Sequence, residues 1–554
     1  MGAGVDTEVL IAGGGPCGLM LANELGRRGI RCLLVDRKAG TAFNPQANAT
    51  QARTMEHFRR LGFADEIRAQ GLPPDHPTDI AYLTRFLGRE LARIQLPTAA
   101  EAVRQVKAMG GSWSAAELPH RVSQKFVEAT LRRHAQSWPS ADLRYGWKLA
   151  RFADTGEGIE ALVHPVGSEE ATQVRARFLV GADGARSLVR RELGIAWQGE
   201  TGVTRDFMGG KMFAMYLRAP RFLSLLQQRK AWMYVAVNAQ RRGFMCSVDG
   251  ISEFACHAAL RPEEDSEHWG EAQARRLFAE LAGSELAVEV LSTGTWMAGH
   301  ALVAERFQRG RVFIGGDAAH LFTPTGGLGY NTAVEDAVNI GWKLAAVLRG
   351  QAPQALLQSY EAERKPLALR NTAYARRFAD SVGLFRAQPE LEDASPRGDA
   401  ERQRAGDYLD RHARLEFNIP GVTFGGRYDA SPVIVRDGCT PPPDEANSYV
   451  PTACPGGRPP HAWLPDGRSL FDLFGRDWTL LVLGADAPAT AAFEEAARAF
   501  ALDLQVVRLE SDALRALYEA PLALIRPDQM VAWRGTTAGE AVSVLQQVTG
   551  RNVS

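Results

Sequence analysis

Residues 8–36 read EVLIAGGGPCGLMLANELGRRGIRCLLVD. Residues 8–12 suit a short buried strand, 13–18 a glycine turn, 19–28 a helix closed by Gly29, and 31–35 a second strand ending at Asp36. This is a βαβ opening and predicts an α/β fold. Gly13, Gly15 and Gly18 fall in the order G-x-G-x-x-G across the turn. The first glycine permits the tight turn, the second lets backbone approach a pyrophosphate, and the third lets the helix pack on the strand. The helix start offers unpaired N–H groups and the positive end of its dipole to phosphates. Asp36 follows about twenty residues later, where a carboxylate binds ribose hydroxyls. The pattern predicts one tightly bound dinucleotide; no second fingerprint occurs in the chain.

Two later segments repeat the grammar of a strand emptying into a Gly/Asp loop. Residues 178–180 lead into Gly181, Ala182, Asp183 and Gly184, and residues 311–314 lead into Gly315, Gly316 and Asp317. Between them, residues 211–217 and 232–237 are rich in aromatic and β-branched side chains, so residues 196–299 are expected to form a β-rich layer. Residues 331–349 predict a helix, with Ala333, Ala337, Ile340, Leu344 and Val347 on one face. A second long helix is expected over 353–385, a polar loop over 388–404, and a Pro/Gly-rich linker over 417–461. Strands at 478–483, 502–509 and 522–525, with a helix at 488–501, predict a small terminal α/β domain.

The composition excludes other classes. The 554 residues carry 64 Lys+Arg and 64 Asp+Glu, a net charge of zero. A nucleic-acid binder or a polybasic membrane-surface protein needs a basic surplus. No uncharged apolar run reaches the ~18 residues of a spanning helix, and the start lacks a signal-peptide pattern. A soluble, cytoplasmic protein is therefore expected, with no nucleic-acid or membrane partner. Cys17, Cys32, Cys246, Cys256, Cys439 and Cys454 include no CxxC pair. They are expected to be buried, reduced side chains, and no metal-ligand spacing is present.

The glycine-rich run 324–331 follows Asp317 and His320 and opens the predicted helix at 331. A helix start there could stabilise negative charge on a ligand, and Asp317 could accept a hydroxyl hydrogen bond. Three motifs now stand in order: Gly13/Gly15/Gly18 with Asp36 and Arg37; residues 181–187 with Val189 and Arg190; and residues 316–320 with 324–331. With the run 360–366, they resemble the single-component flavin-dependent aromatic hydroxylases built on the para-hydroxybenzoate hydroxylase fold. The likeness covers residues 5–385. Residues 460–464, 469–471, 526–528 and 533–535 are similar to the thioredoxin-like C-terminal domain of the phenol hydroxylase and polyketide hydroxylase branch. No cysteine follows Cys454, so that domain could not exchange disulfides.

The resemblance implies a Rossmann-like FAD-binding domain (1–78, 108–195 and 300–385) interleaved with a β-sheet substrate domain (79–107 and 196–299). A helix and Pro/Gly-rich linker (386–455) and a thioredoxin-like domain (456–554) follow. It implies that Gly13, Gly15 and Gly18 hold the FAD pyrophosphate, and that Asp36 and Arg37 hold the adenosine end. Arg121 and Gln124 match an Arg-x-x-Gln pattern whose Gln reaches the ribityl chain, as does Asp317. Asp183 belongs to a loop handling FAD and NAD(P)H; Gly327, Gly329, Tyr330 and Asn331 face the flavin; Pro324 lines the pocket. Many members have Arg where this chain has Gln46, which removes a charge from the cofactor site. Asn48 replaces an active-site Asp of the phenol hydroxylase branch, or else caps the helix that follows.

The implied reaction is a monooxygenation. NAD(P)H reduces FAD, O2 gives a flavin C4a-hydroperoxide, and its distal oxygen attacks a phenol ortho or para to the hydroxyl. Asn48, Tyr216, His300 and Pro324 are the candidate substrate contacts, His300 also reading as an ordinary surface or core histidine. No arginine can be assigned to a substrate carboxylate, which points to an uncharged phenol. Baeyer–Villiger or epoxidising oxygenation of a polyketide is the alternative chemistry; a flavin-binding assembly module is the alternative class. The expected partners are a small aromatic substrate and a second copy of the chain.

Overall fold

The computed structural model describes residues 5–201 and 207–552. Its first sheet runs Gln308–Arg309, Val312–Ile314, Thr172–Gly181, Thr7–Ala12, Cys32–Asp36, Ala141–Tyr145, with a hairpin of Trp147–Asp154 and Ile159–Pro165 alongside. Thr7–Ala12 lies parallel to both neighbours, pairing Ala12 with Val35 and with Gly181. Ile314 pairs with Gly181 on the next parallel strand. The loops beginning at Gly13, Gly181 and Gly315 therefore leave adjacent strands at one edge, the carboxyl edge where doubly wound sheets bind ligands.

The second sheet has seven strands, in the order Glu289–Met297, Lys211–Arg218, Glu253–Ala259, Gly243–Ser247, Met233–Ala236, Ile80–Leu83, Glu90–Ile94. Alternation gives it two apolar faces. Phe213, Met215, Leu217, Met245 and Phe254 pack with Ala274, Leu277, Phe278 and Leu281 of the helix Glu271–Ala282. Met212, Cys246, Val235 and Trp296 lie on the other face, in a cluster that also holds Ala49 of the first unit.

The helix Leu328–Leu348 begins three residues before the expected start. Gly326 and Gly327 take φ of +66° and +65°, a left-handed turn that launches the helix early. It packs on the helix Pro16–Gly26, where Gly341 lies against Glu24 and Leu21. The helix Ser359–Gly383 follows.

Two expectations are corrected. The stretch 388–404 is not a loop, because the helix Pro396–Phe417 runs through it. Ser395 caps that helix by accepting from the Gly398 N–H at 3.1 Å, and Ala405, Leu409 and Ala413 bury one face. The cysteines are not all reduced: Cys439 and Cys454 form a disulfide with Cα atoms 6.3 Å apart. The linker doubles back through the left-handed Gly438, bringing together two cysteines 15 residues apart. The other four cysteines are free and buried. Although nearly devoid of regular structure, the linker buries Tyr428, Val433, Ile434, Ala446, Tyr449 and Ala453, so it is a packed strap.

The terminal unit is a four-stranded sheet ordered Leu504–Leu509, Trp478–Leu483, Leu522–Ile525, Val531–Gly535. The helices Ala491–Ala499, Asp512–Tyr518 and Ala541–Val548 accompany it. Among the described residues, no helix is long and apolar enough to cross a membrane. There too, the donor side chains close enough to share a metal ion are Asp437, Cys439 and Cys454, whose two sulfurs are bonded to each other.

Candidate active site

The three fingerprint glycines have different duties. A Cβ on Gly13 would sit 2.1 Å from the Ala182 carbonyl oxygen, and one on Gly18 would sit 1.9 Å from the Gly13 carbonyl oxygen. These two allow strand, loop and helix to pack. A Cβ on Gly15 meets no protein atom within 4 Å, so its bare face is turned to whatever lies above the helix start. That open cradle fits a pyrophosphate. Asp36 accepts from the Gly14 N–H at 2.6 Å and the Lys38 N–H at 2.7 Å, bracing the glycine loop. Arg37 is exposed beside it.

In the second loop, Asp183 Oδ2 accepts from the Leu188 and Val189 N–H groups at 2.7 and 3.2 Å. Its buried Oδ1 has no partner among the described residues. In the third loop, Asp317 is exposed, and crowding of its carboxyl raises its pKa through lost hydration. Asp336 anchors this loop and was not foreseen. It accepts from Gly316 N–H at 3.0 Å, His320 Nε2 at 2.6 Å and Arg364 Nε at 2.8 Å, all in the interior. Burial alone would raise its pKa, but His320 and Arg364 override that and hold it below the usual carboxylate range.

The loop 324–331 is clamped from both sides. Asn331 Oδ1 accepts from Gln51 N–H at 2.9 Å, and its Nδ2 donates to the Ala49 and Gly327 carbonyls. Tyr330 and Thr50 share a 2.6 Å hydroxyl hydrogen bond. Glu416, near the end of the unforeseen helix, accepts from Gly326 N–H at 2.9 Å. These contacts employ side chains and the loop N–H, leaving the first-turn N–H groups of Gly329 and Tyr330 without helical partners. Pro324 is exposed at the rim. An open phosphate cradle, an accessible Asp317 and a helix start aimed into one cleft fit FAD.

The remaining candidates separate. Tyr216 is on the sheet face turned to this cleft, but its hydroxyl is engaged: Lys125 Nζ donates to it at 2.5 Å, and it donates to Glu253. Phe43, exposed on the loop after Asp36, packs edge-on against Tyr216. Asn48 does not cap the helix Ala52–Arg60, whose cap position is Gln51; its buried Oδ1 has no partner among the described residues. Gln46 is exposed. Gln124 is buried and donates to Glu128 at 2.7 Å. Arg121 is buried with its guanidinium over the Trp232 ring, on the sheet side of the cleft. His300 is apart from the sheet face: its Nδ1 bonds Thr201 at 2.9 Å and its carbonyl accepts from Thr323, beside Pro324.

The sheet face offers another group, His257. Its ring stacks on Phe244 at 4.6 Å, and Trp296 Nε1 donates to its Nδ1 at 3.1 Å. Burial pushes its pKa down to about 4. Trp296 can only donate, so Nδ1 is the acceptor nitrogen and the proton of the neutral ring is assigned to Nε2. No sequence signal marks His257 beyond its place in an apolar strand.

Residues 6–375 match the FAD binding domain family, and residues 452–552 match the aromatic-ring hydroxylase C-terminal family. The FAD-dependent monooxygenase apdD of Emericella nidulans is 32% identical over 98% of this chain and 90% of its own. The rebeccamycin biosynthetic enzyme RebC, solved with reduced flavin, is 34% identical with a TM-score of 0.87 over 99% of both chains. Aklavinone-11 hydroxylase, solved with FAD and aklavinone, is 27% identical with a TM-score of 0.83 over 99% of both chains.

Proposed function

The chain belongs to the FAD-dependent monooxygenases of the aromatic-ring hydroxylase family, and from that premise we propose that it hydroxylates a phenolic ring ortho or para to its hydroxyl, consuming NAD(P)H and O2. What carries this reading is the wall facing the flavin loop. Trp232, Val235, Phe244 and Trp296 make it apolar, and His257 is a neutral hydrogen-bond donor set within it. Such a wall suits a planar aromatic with one oxygen to be held. Relatives named for polyketide and phenolic substrates, among them aklavinone 12-hydroxylase and 2,4-dichlorophenol 6-monooxygenase, support the same class.

Bound FAD supplies the redox and oxygen-activating chemistry. The protein supplies position and charge. Gly13, Gly15 and Gly18, with the start of Pro16–Gly26, hold the pyrophosphate. Asp317 accepts hydrogen bonds from sugar-like hydroxyls. The N–H groups of Gly329 and Tyr330 stabilise negative charge at the ring's polar edge. Asp336 and Glu416 fix the two loops, so these donors need not reorganise. His257 Nε2–H donates to the phenol oxygen, and the apolar wall keeps water out.

The test is NAD(P)H oxidation by the FAD-loaded protein across a panel of phenols, including polycyclic ones, under labelled O2. At least one phenol is expected to accelerate oxidation and to gain a single labelled oxygen on the ring. No acceleration by any phenol, or oxygen inserted beside a ketone carbonyl instead, would overturn the reading.

A further inference from the structure

Arg121 is 8% exposed, and among the described residues it makes no hydrogen bond and no ion pair. Its described contact is the Trp232 ring, 4.6 Å from the guanidinium carbon. The most deeply buried arginines have carboxylates: Arg28 has Glu24 and Asp477, Arg364 has Asp336, Arg458 has Glu56, and Arg526 has Glu363 and Asp528, while Arg190 and Arg242 donate to the Ala185 and Phe385 carbonyls. No nearby group pairs with Arg121 directly. Glu416 acts on it only through space, its carboxylate accepting from Gly326 N–H, and burial pushes the Cys246 thiol up to about 12, leaving it uncharged. Burial lowers the Arg121 pKa to about 10, so the group stays a cation at neutral pH.

Its position matters as much as its isolation. The adjacent His120 exchanges backbone hydrogen bonds of 2.9 and 2.8 Å with Thr50, and Thr50 holds the Tyr330 hydroxyl at the start of the flavin-loop helix. Trp232 belongs to the apolar sheet face that also carries Cys246 and Trp296. Arg121 therefore stands where the flavin loop meets the substrate wall. An unpaired buried cation is costly, and a planar guanidinium is best matched by two oxygens of one anion.

We propose that Arg121 is a specificity residue: it binds an anionic oxygen group of the aromatic substrate, so that the favoured phenol carries a carboxylate or an ionised acidic hydroxyl. The inference deepens the hydroxylase reading and rests on it. It replaces the expectation of an uncharged phenol and turns Arg121 from cofactor toward substrate.

Calorimetric titration of the FAD-loaded protein tests it with matched probes. These are 1-hydroxy-2-naphthoate against its amide, and 4-nitrophenol against 4-nitroanisole. The wild-type protein is expected to bind the anion of at least one pair about tenfold or more tightly than its neutral partner. Preference within the naphthoate pair assigns a carboxylate; preference only within the nitrophenol pair, growing as the phenol ionises, assigns an ionised hydroxyl. In Arg121→Met the preference should fall to about twofold or less, with neutral binding retained; Arg121→Lys should keep part of it. No preference in the wild type, or a preference that survives Arg121→Met, overturns the proposal, and the wild-type comparison stands if the variant fails to fold. If neutral phenols are hydroxylated without any anion preference, the anchor fails and the hydroxylase reading survives. An anion preference without hydroxylation of any phenol separates the two the other way.

Discussion

Three glycines in one motif carry three different physical burdens, and they separate by substitution. Gly15 has an ordinary φ of −81° and open space where a Cβ would go. Gly15→Ala should therefore change folding stability by less than about 0.5 kcal/mol. The added methyl would stand in the phosphate's place, and FAD affinity should fall by about tenfold or more, or ~1.4 kcal/mol. Gly18→Ala drives a Cβ into the Gly13 carbonyl and should cost about 1–3 kcal/mol with or without cofactor. Thermal unfolding of both variants, apo and FAD-loaded, checks the pair; equal apo losses would contradict it. At this scale the glycine spacing was legible because its constraint is local. Asp336 was not, because its partners lie 16, 20 and 28 residues away and its helix reads as an apolar face with polar interruptions. His257 was hidden for a related reason: only cross-strand packing on Trp296 and Phe244 distinguishes it from a core histidine.

The element most misread was the helix Pro396–Phe417. Its polar residues 397–404 suggested a loop, although Ser395 followed by Pro396 is a capped helix start. Its last turn reaches back to the flavin loop through Glu416, which also meets His412 Nε2 at 2.9 Å. Glu416→Ala should leave the Gly326 N–H without a partner, a loss of about 1–3 kcal/mol. The larger effect should be functional: a loosened loop admits water, so a smaller fraction of the NAD(P)H consumed should appear as hydroxylated product. Glu416→Gln keeps an acceptor and should recover most of that fraction. Equal product yields for Ala, Gln and wild type would show that the helix does not brace the loop. By contrast, the βαβ opening was readable at once, because each of its elements is signalled by its own residues.

Across the whole molecule, the strap and terminal unit are joined to the flavin-binding unit by buried charge. Glu363 accepts from Arg526 at 2.6 and 2.9 Å, Lys343 at 2.6 Å and Ser431 at 2.6 Å, while Arg526 also pairs with Asp528. Sequence alone could place these residues in separate units, but not in one network. Arg526→Met should destabilise the protein by about 3–5 kcal/mol, since it leaves buried carboxylates short of a partner. Loss of stability in denaturant titration, with both units unfolding together, is the expected result. The interior histidines set a second global property. Burial keeps His57, His120, His257 and His461 below the ordinary histidine pKa, His257 at about 4 and His120 and His461 at about 3. In the unfolded chain each titrates near ~6.5. Below that pH the unfolded chain binds protons that the folded protein refuses, so stability must fall as pH falls. Four such groups amount to a loss on the order of 5 kcal/mol between about pH 7 and about pH 5.5. The depressed carboxylates Glu24, Glu56 and Glu363 add their own loss only below their unfolded values near ~4.3, so this window belongs to the histidines. The melting temperature of the FAD-loaded protein should drop steeply across the window. His120→Gln should reduce the drop by about a quarter, and a melting temperature independent of pH there would refute the assignment.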